Sequence, residues 1–554
     1  MMNRKNSIMA LCAAFLVAGA QTDISACTNL IAGKKATADG SVMVTYAADS
    51  HTLYGALYHQ PAADHAPGTM RKVVEWDTGK LLGEIPEVKH TYNVVGNMNE
   101  HQLVIAESTW GGREELQDTT GNSIIDYGSL IYITLQRART AREAIKTMAD
   151  LVEKYGYASS GESFSIADKD EVWVMELIGK GAEKGAGWIA VRIPDDAISG
   201  HANEPRIRQV NMKDKKNVMY SPDVVSFARK RGYFNGKDAD FSFADAYSEH
   251  SVDTRRGCDA RVWSFFRRFN PGTEKYYAWC VGENDEPMPL YVVPDKKVSL
   301  ADMQERMRDH FEDTPLNMTS DIGAGPNKVP YRWRPMNYEV DGKEYCMERA
   351  IGTQQTGWHF VSQSRAGMPD PVGGVLWFGT DDTNTSVYMP FYCSMTEIPL
   401  ELREDTADLL TFSDNSNFWM TNWVANQAYN RYDLMIPDIR KVQGDLEKGF
   451  IGERPQFEEK ILALYNGGKL DELVAEVNAD GARVSKKATD AYRDLARYLL
   501  VKFMDGNRKK TEADGSFKRT ETGMPPSPDF PGYDKEYYEN IVRTTGYHFL
   551  VPKK

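Results

Sequence analysis

The stretch Ser25-Ala26-Cys27-Thr28-Asn29-Leu30-Ile31 stands where an export signal ends and the folded body begins. Cleavage before Cys27 would make this cysteine the first residue of the mature chain, with a free α-amine beside its thiol. An α-amine titrates at about 7.7–8.0, so a useful fraction is neutral near pH 7 and can accept the thiol proton. The stretch therefore predicts a nucleophilic cysteine that carries its own base, with a strand running on from it.

The residues before Cys27 have the pattern of a signal peptide. Arg4 and Lys5 supply positive charge, and residues 8–20 form an apolar run that is too short to span a bilayer. Two cleavage sites fit this pattern. One follows Ala20 and leaves residues 21–26 as a short propeptide, whose removal needs a second cut, self-catalysed or not. The other lies directly before Cys27, and either site predicts an exported protein, periplasmic or secreted.

The same residues support a rival interpretation. Ile24-Ser25-Ala26-Cys27 resembles a bacterial lipobox, in which the cysteine is lipidated and anchors the chain. Residues 21–23 separate this tetrapeptide from the apolar run, whereas a lipobox normally abuts that run. A lipid-anchored surface binding protein without catalysis therefore stays open as an alternative from the sequence.

Composition and cysteine content restrict the class of protein. The 554-residue chain has a formal net charge of −13, which argues against binding to nucleic acid and to anionic membrane surfaces. After the signal, no apolar segment of the sequence reaches transmembrane length. In an oxidising compartment, four cysteines would pair and leave Cys27 over; alternatively, all five are reduced buried thiols. Of the six cysteines in the sequence, Cys12 lies in the predicted signal peptide, and the four besides Cys27 are Cys258, Cys280, Cys346 and Cys393.

Local patterns predict an α+β body. Residues 27–31 and 41–47 form a hairpin around the Asp39-Gly40 turn. Residues 140–153 form the clearest helix, with Thr140 as its N-cap. A helix is also predicted at 223–230, and residues 261–269 fit a strand or a short helix. Further strands are predicted at 92–96, 102–108, 163–167, 172–177, 188–193, 373–378 and 387–391.

After about residue 401 the pattern becomes helical. Helices are predicted over residues 418–442, 456–477 and 489–504, and residues 506–532 form a surface loop or extended arm. The sequence therefore predicts three regions, which are residues 1–26 as signal peptide and short propeptide, residues 27–400 as a catalytic domain, and residues 401–554 as a helical C-terminal region.

Searches for local catalytic motifs leave Cys27 as the main candidate. The sequence has no His-Glu-x-x-His zinc helix and no phosphate-binding glycine loop. Gly161-Glu162-Ser163-Phe164-Ser165 lacks the second glycine of a serine elbow. Asp381-Asp382-Thr383-Asn384 lacks the glycine and the distal glutamate of an EF-hand loop. No metal or organic cofactor is predicted.

In their order along the chain, several short stretches resemble the secreted dipeptidase (dipeptidase A) family of cysteine Ntn-hydrolases, which are relatives of penicillin V acylase and bile salt hydrolase. The resemblance implies an Ntn-hydrolase four-layer αββα sandwich with the nucleophile at the start of a central strand. It also suggests that the helical C-terminal region mediates assembly into a homo-oligomer. The stretches are Cys27-Thr28-Asn29-Leu30 through Asp39-Gly40-Ser41, Gly96-Asn97-Met98-Asn99-Glu100-His101 through Ala106-Glu107-Ser108-Thr109, Gly161-Glu162-Ser163 through Asp168, His201-Ala202-Asn203-Glu204-Pro205-Arg206-Ile207, Tyr220-Ser221-Pro222-Asp223, and Ala260-Arg261-Val262-Trp263-Ser264-Phe265-Phe266.

Position by position, the resemblance implies five site residues. Cys27 is similar to the nucleophile, and Asp49 is similar to the carboxylate that orients its α-amine. Asn203 is similar to the side-chain donor that holds the oxyanion, and Arg261 to the arginine that supports the cysteine. Thr109 lies near a second polar oxyanion position. Without the resemblance, Asp49 is an ordinary strand-end cap, Asn203 a turn residue and Arg261 a surface ion-pair partner.

One position departs from the family pattern. Many relatives have an arginine three residues before the aspartate, where this chain has Tyr46. Tyrosine donates a hydrogen bond but carries no positive charge, which bears on how a thiolate is stabilised and on which substrates are accepted.

The sequence as a whole predicts an exported cysteine peptidase that hydrolyses dipeptides through a thioester on Cys27. The alternative within the same superfamily is an N-acyl amidase of the bile salt hydrolase or penicillin acylase type. Dipeptides and N-acyl substrates would separate the two activities.

Overall fold

The computed structural model of the chain describes residues 27–553. The predicted signal peptide, both cleavage sites and the lipobox interpretation therefore lie outside the described residues. Strands and helices are mixed along the chain, which confirms the predicted α+β class.

Short strands dominate the first four hundred residues. Within residues 27–553 the strands are β1 (Asn29–Ala32), β2 (Val42–Asp49), β3 (His59–Gln60), β4 (Ala63–Asp64), β5 (Met70–Val74), β6 (Leu81–Pro86), β7 (His90–Thr91), β8 (Val94–Val95), β9 (Met98–Asn99), β10 (Val104–Gly111), β11 (Gly161–Ala167), β12 (Val172–Lys180), β13 (Glu183–Ile193), β14 (Ile198–His201), β15 (Val218–Tyr220), β16 (Tyr291–Val292), β17 (Asn337–Val340), β18 (Lys343–Cys346), β19 (Thr356–Ser364), β20 (Val375–Thr380) and β21 (Met389–Tyr392).

The helices lie between the strands and, with greater length, after them. They are α1 (Tyr127–Leu135), α2 (Ala141–Tyr155), α3 (Val224–Lys230), α4 (Phe243–Tyr247), α5 (Val252–Thr254), α6 (Ala260–Phe269), α7 (Tyr277–Cys280), α8 (Leu300–Arg306), α9 (Asp370–Gly373), α10 (Asn417–Ala428), α11 (Tyr432–Asn466), α12 (Leu470–Phe503) and α13 (Lys535–Thr545). None of the helices in residues 27–553 has the length and apolar content needed to cross a membrane.

Two antiparallel sheets form the centre of the molecule. The seven-stranded sheet has the order β16-β14-β1-β2-β19-β20-β21, and the eight-stranded sheet has the order β15-β13-β12-β11-β10-β9-β8-β3. Strand β2 contacts β10 and β11, so the two sheets face each other. Helices α1 and α2 pack on the eight-stranded sheet, and α6, α10 and α12 pack on the seven-stranded sheet.

Strand β12 shows how the eight-stranded sheet is buried on both faces. Successive side chains of a strand point to opposite faces. Val172 and Val174 belong to the core shared with the seven-stranded sheet, whereas Trp173 and Met175 belong to the core beneath α1 and α2. Such a strand has few polar positions, which explains the nearly continuous apolar run in this part of the sequence.

Helix α2 forms where the sequence predicts it. Thr140 is its N-cap, and the Thr140 hydroxyl accepts a hydrogen bond from the Glu143 N–H. The apolar residues that recur every three or four positions face the sheet, among them Ala144, Ile145 and Met148. The residues predicted as a strand or a short helix at 261–269 are helical, in α6.

In the helical C-terminal region, the observed helices begin and end at residues that differ from the predicted ones. The predicted helix 418–442 crosses the end of α10 at Ala428, and the predicted helix 456–477 crosses the break between α11 and α12. Gly468 adopts a positive φ of 69° in that break, a conformation that favours glycine. The predicted helix 489–504 is the second half of α12.

Helices α10 and α12 pack against the edge of the seven-stranded sheet that is formed by β20 and β21. Their buried residues join the same apolar core as the strands. The division of the chain near residue 400 stays a prediction. Residues 507–534 run as turns and single bridges over the surface.

Glu447 on α11 ties this region to the strand body, so its removal should cost stability. Its Oε2 atom lies 3.2 Å from Arg308 Nη1, and its Oε1 atom accepts from the Tyr388 N–H at 3.0 Å. The side chains of Arg308 and Glu447 are 5% and 10% exposed. Because Glu447→Ala leaves a buried guanidinium without this partner, we expect it to lower the unfolding free energy by about 3–5 kcal/mol.

The matched control is Asp445→Ala on the same helix. Asp445 pairs with Lys441, and both side chains are mostly exposed. That variant should leave the unfolding free energy nearly unchanged, because exposed ion pairs contribute little to stability. Guanidinium unfolding followed by tryptophan fluorescence measures both shifts, and equal midpoints for the two variants would contradict the proposed tie.

Candidate active site

The five residues predicted for the site come from separate elements. Cys27 directly precedes β1, Asp49 is the last residue of β2, and Thr109 lies on β10. Asn203 follows β14 by two residues, and Arg261 is the second residue of α6. Strands β1 and β14 pair with Asn29 opposite His201. Continuing this antiparallel register brings Asn203 opposite Cys27.

Arg261 joins Cys27 to Asn203. Its Nη1 donates to the Cys27 carbonyl oxygen at 2.9 Å and to the Thr28 hydroxyl at 2.7 Å. Its Nη2 donates to Asn203 Oδ1 at 2.9 Å and to the Ala202 carbonyl oxygen at 3.1 Å. The Arg261 side chain is fully buried, so this guanidinium is an internal part of the site.

Asn203 in turn holds the backbone nitrogen of Cys27. The Cys27 N–H donates to Asn203 Oδ1 at 3.0 Å. The same oxygen accepts from Arg261 Nη2, and two donors at one atom identify it as the amide oxygen. Asn203 Nδ2 donates to the Thr109 carbonyl oxygen. Asn203 has a φ of 57°, so a residue other than glycine occupies the left-handed region at the site.

Asp49 and Thr109 lie nearby but point to other partners. The Asp49 carboxylate accepts from Thr356 Oγ1 at 2.7 Å and lies 3.3 Å from Arg349 Nη2. The Thr109 hydroxyl donates to Glu162 Oε1 at 2.7 Å. The amine-orienting role of Asp49 and the oxyanion role of Thr109 therefore stay predictions.

Glu107 is a site residue to which the sequence analysis assigns no role. It lies on β10 of the facing sheet, and its Oε1 atom is 3.3 Å from Cys27 Sγ. Tyr46 donates its hydroxyl hydrogen to the same oxygen, and the Tyr46 oxygen is 3.6 Å from Sγ. Tyr46 therefore places a hydrogen-bond donor beside Glu107 and the thiol, at the position where the family resemblance predicts an arginine.

The only sequence signal for Glu107 is its place in the resembling stretch Ala106-Glu107-Ser108-Thr109. It is separated from Cys27 by 80 positions. No local spacing rule connects residues that far apart, and the contact arises because the two sheets face each other.

Burial and carboxylates dominate the electrostatics around the thiol. Burial raises the pKa of Cys27 well above its usual range, and the charges of Glu107 and Asp49 raise it further. Burial raises the pKa of Asp49 to about 7, against the opposing effect of Arg349. Burial also raises the pKa of Glu107, and burial together with the charge of Glu107 raises that of Glu162. In the intact chain the Cys27 thiol is therefore protonated at neutral pH.

Cys27 opens onto a cavity of about 370 Å³. Aromatic rings form much of its wall, namely Tyr46, Tyr54, Tyr58, Trp76, Tyr127 and Trp358. Its carboxylates are Asp49, Asp77, Glu107, Glu404 and Asp408, and no Lys, Arg or His is found among the described residues that line it. A larger groove of about 760 Å³ runs along α2, but none of the five predicted site residues lines it. The smaller cavity is therefore the candidate active site.

The five cysteines of residues 27–553 are all free thiols. Of the two possibilities left open by the cysteine count, the structure has the one in which all five thiols are reduced. Within the same residues, no group of three or more His, Cys, Asp or Glu side chains is arranged to hold a metal ion.

Comparison with known proteins gives a consistent family match. The sequence model of peptidase family C69 matches residues 26–445. A probable dipeptidase of Salmonella dublin is 27% identical over 388 residues, which cover 67% of this chain and 82% of the relative. Dipeptidase A of Lactobacillus helveticus is 23% identical over 444 residues, 76% of this chain and 84% of the relative. A probable dipeptidase B of Streptococcus pyogenes serotype M1 is 23% identical and covers 92% of this chain and 99% of the relative.

The backbone of Asn203 gives a prediction that is independent of activity. A left-handed conformation costs a residue with a Cβ atom roughly 1–2 kcal/mol, and glycine avoids this cost. Asn203→Gly and Asn203→Ala both remove the amide that holds Cys27 and Arg261. We therefore expect the glycine variant to be the more stable of the two by about 1 kcal/mol in guanidinium unfolding. An alanine variant at least as stable as the glycine variant would refute the assigned conformation.

Proposed function

The chain belongs to peptidase family C69, and from that premise we propose that it is an exported cysteine peptidase that hydrolyses dipeptides through a thioester on Cys27. The observation that carries this proposal is the position of Cys27. Its nitrogen and its carbonyl oxygen are held by Asn203 and Arg261, while its thiol opens onto an acidic, aromatic cavity.

The proposed mechanism starts from a chain whose first residue is Cys27. The Cys27 α-amine takes the thiol proton, and the thiolate attacks the scissile carbonyl carbon. The protonated amine then gives its proton to the leaving amine as the carbon–nitrogen bond breaks. Water, with the same amine as base, hydrolyses the thioester and restores the thiol.

Asn203 and Arg261 support this mechanism through position. The Asn203 amide lies next to the cysteine, and its nitrogen, which directs one N–H to the Thr109 carbonyl oxygen, is the side-chain donor that we assign to the oxyanion. An N-terminal ammonium would also place a positive charge among Glu107, Asp49 and the thiol, where the intact chain has only a peptide nitrogen. That charge would oppose the carboxylate effects that raise the pKa of Cys27.

The walls of the cavity favour a dipeptide over an N-acyl substrate. Asp77, Glu404 and Asp408 line it, and none of them forms an ion pair within residues 27–553. A dipeptide brings an α-ammonium group that these carboxylates can pair with, and aromatic rings such as Trp76 also attract cations. An N-acyl substrate has no α-ammonium group, so it cannot form this ion pair with the carboxylates of the cavity.

The arrangement of layers supports the fold that the sequence predicts. Two sheets face each other, helices pack on their outer sides, and the nucleophile precedes a strand near the middle of one sheet. On this basis we infer the Ntn-hydrolase sandwich. Assembly through the helical C-terminal region stays a prediction.

Loss of the thiol should abolish hydrolysis. We expect Cys27→Ala to lower kcat for dipeptide hydrolysis roughly 10³-fold or more, because no other nucleophile replaces the thiol. Cys346→Ser, at a half-buried thiol on β18, should retain activity. Full activity of Cys27→Ala would end the proposal.

Intact mass spectrometry of the wild-type protein is the companion measurement. The proposed mechanism requires a chain that begins at unmodified Cys27. A chain that retains residues 21–26, or that carries lipid on Cys27, would lack the free α-amine and would refute the mechanism.

The carboxylates of the cavity should act on substrate binding. Asp77→Asn and Glu404→Gln should each raise KM for a free dipeptide roughly tenfold, a loss of about 1.4 kcal/mol, with little change in kcat. Blocking the substrate amine by acetylation should raise KM in the wild type and have a smaller effect in the variants. Asp64→Asn, at an exposed carboxylate paired with His90, serves as the control. Equal rates for free and acetylated dipeptides would favour the N-acyl amidase.

A further inference from the structure

We propose that Glu107 is a further catalytic residue, which accepts the Cys27 thiol proton in the intact chain and so acts as the base for cleavage of the Ala26–Cys27 bond. The inference rests on the proposed function, in which Cys27 has to become the first residue. It concerns the step before that function, when the α-amine does not yet exist.

In the intact chain the nitrogen of Cys27 cannot be the base. It is a peptide nitrogen whose N–H donates to Asn203 Oδ1 at 3.0 Å. A peptide nitrogen is a donor and has no basic lone pair. Another group must therefore take the thiol proton if the cysteine is to cut the bond before it.

Glu107 is placed to do this. Its Oε1 atom lies 3.3 Å from Sγ and accepts a hydrogen bond from the thiol. The Tyr46 oxygen lies 3.6 Å from Sγ, but the Tyr46 hydroxyl donates its own hydrogen to Glu107 Oε1. The Asp49 backbone also forms a hydrogen bond with the thiol, and a backbone N–H is a donor and cannot take the proton. Among the described residues, Glu107 is thus the carboxylate to which the thiol is hydrogen-bonded, which places it to accept the proton directly.

The surroundings make the transfer feasible inside the protein. The Glu107 side chain is 1% exposed and forms no ion pair within residues 27–553. Moving a proton from the thiol to the carboxylate leaves the net charge of the cluster unchanged, so no additional charge has to be buried. Burial raises the pKa of Glu107 and so makes it a better proton acceptor than an exposed carboxylate.

Neighbouring groups fix the ionisation and the position of Glu107. Burial and the charge of Glu107 raise the pKa of Glu162 well above its usual range, so Glu162 holds a proton more tightly than Glu107 does. Asn29 donates its side-chain N–H to the Glu107 carbonyl oxygen, which ties β10 to β1 beside the thiol.

The proposed step balances as follows. The Glu107 carboxylate takes the S–H proton, and the thiolate attacks the carbonyl carbon of Ala26 through a five-membered ring. The carbon–nitrogen bond then breaks, and the proton held by Glu107 passes to the Cys27 nitrogen. This leaves a thioester and a free α-amine. Water hydrolyses the thioester with that amine as base, which releases the Ala26 carboxylate and the Cys27 thiol.

Glu107→Gln tests the proposal because glutamine keeps the shape and accepts from Tyr46 but cannot take a proton. In the full-length chain we expect cleavage before Cys27 to slow roughly 100-fold or more, read as retention of residues 21–26 by intact mass spectrometry. Glu107→Asp should restore part of the rate. Glu176→Gln, at a buried carboxylate on β12 of the same sheet, should be cut at the wild-type rate.

A second experiment separates this role from a structural one. The chain is started at Met followed by Cys27, so that removal of the initiator Met exposes the α-amine without the cleavage step. With Glu107→Gln in this chain, dipeptide hydrolysis should stay within about tenfold of the unsubstituted chain, because the α-amine now supplies the base.

The outcomes are distinct. If the Glu107→Gln chain or the Cys27→Ala chain were cut before Cys27 at the wild-type rate, the proposed role of Glu107 would be overturned. The proposal that the mature protein hydrolyses dipeptides would be unaffected. Loss of hydrolysis in the pre-exposed Glu107→Gln chain would also overturn the proposed role of Glu107, since Glu107 would then act on the whole site. If pre-exposed Cys27→Ala still hydrolysed dipeptides, the proposed function itself would fall.

Discussion

The geometry of the site depends on one buried guanidinium. Arg261 donates to the Cys27 carbonyl oxygen and to Asn203 Oδ1, and so it connects two neighbouring segments of the same sheet. A buried charge is costly unless its hydrogen bonds are made, and here the Arg261 side chain donates to five acceptors. Lysine could not replace this residue, because a single ammonium cannot span two segments with a planar fork of donors. The position of the thiol in the cavity thus follows from where α6 docks.

Much of the fold follows from local sequence patterns. The Asp39-Gly40 hairpin, the capped helix after Thr140 and the two strands within residues 163–177 each depend on contacts within a few residues, and the structure has all three. The long helices are harder to predict. Helix α11 contains Pro437 and Pro455, which local rules take as helix ends, yet packing against the strand body keeps it continuous.

Some residues of the candidate site can be identified from the sequence, whereas others are recognised only in the structure. Cys27 is a candidate from the sequence because it follows a predicted signal peptide, and Asn203 and Arg261 are candidates because each lies in a stretch that resembles a known family. Glu107 could not be assigned a role, since its meaning arises only when β10 of one sheet meets the start of β1 in the other. The partners of Asp49 are equally non-local, because Arg349 and Thr356 lie three hundred positions away. The contacts that define the roles of Glu107 and Asp49 join residues far apart in the chain, and local sequence patterns do not reveal such contacts.

Tyr46 gives this site a different charge balance from one with arginine at that position. An arginine beside the thiol would stabilise a thiolate permanently. Tyrosine instead supplies a neutral donor, and the nearest charged neighbours of the thiol, Glu107 and Asp49, oppose its ionisation. The thiol of the intact chain is therefore held protonated at neutral pH, and on our proposal it reacts only when Glu107 takes its proton. On the proposed mechanism, the positive charge that relieves this opposition is the α-ammonium of Cys27, which exists only after cleavage. The substitution of tyrosine for arginine would then link activity to maturation, because the thiol faces the carboxylates of Glu107 and Asp49 and gains the α-ammonium only when Cys27 becomes the first residue of the chain.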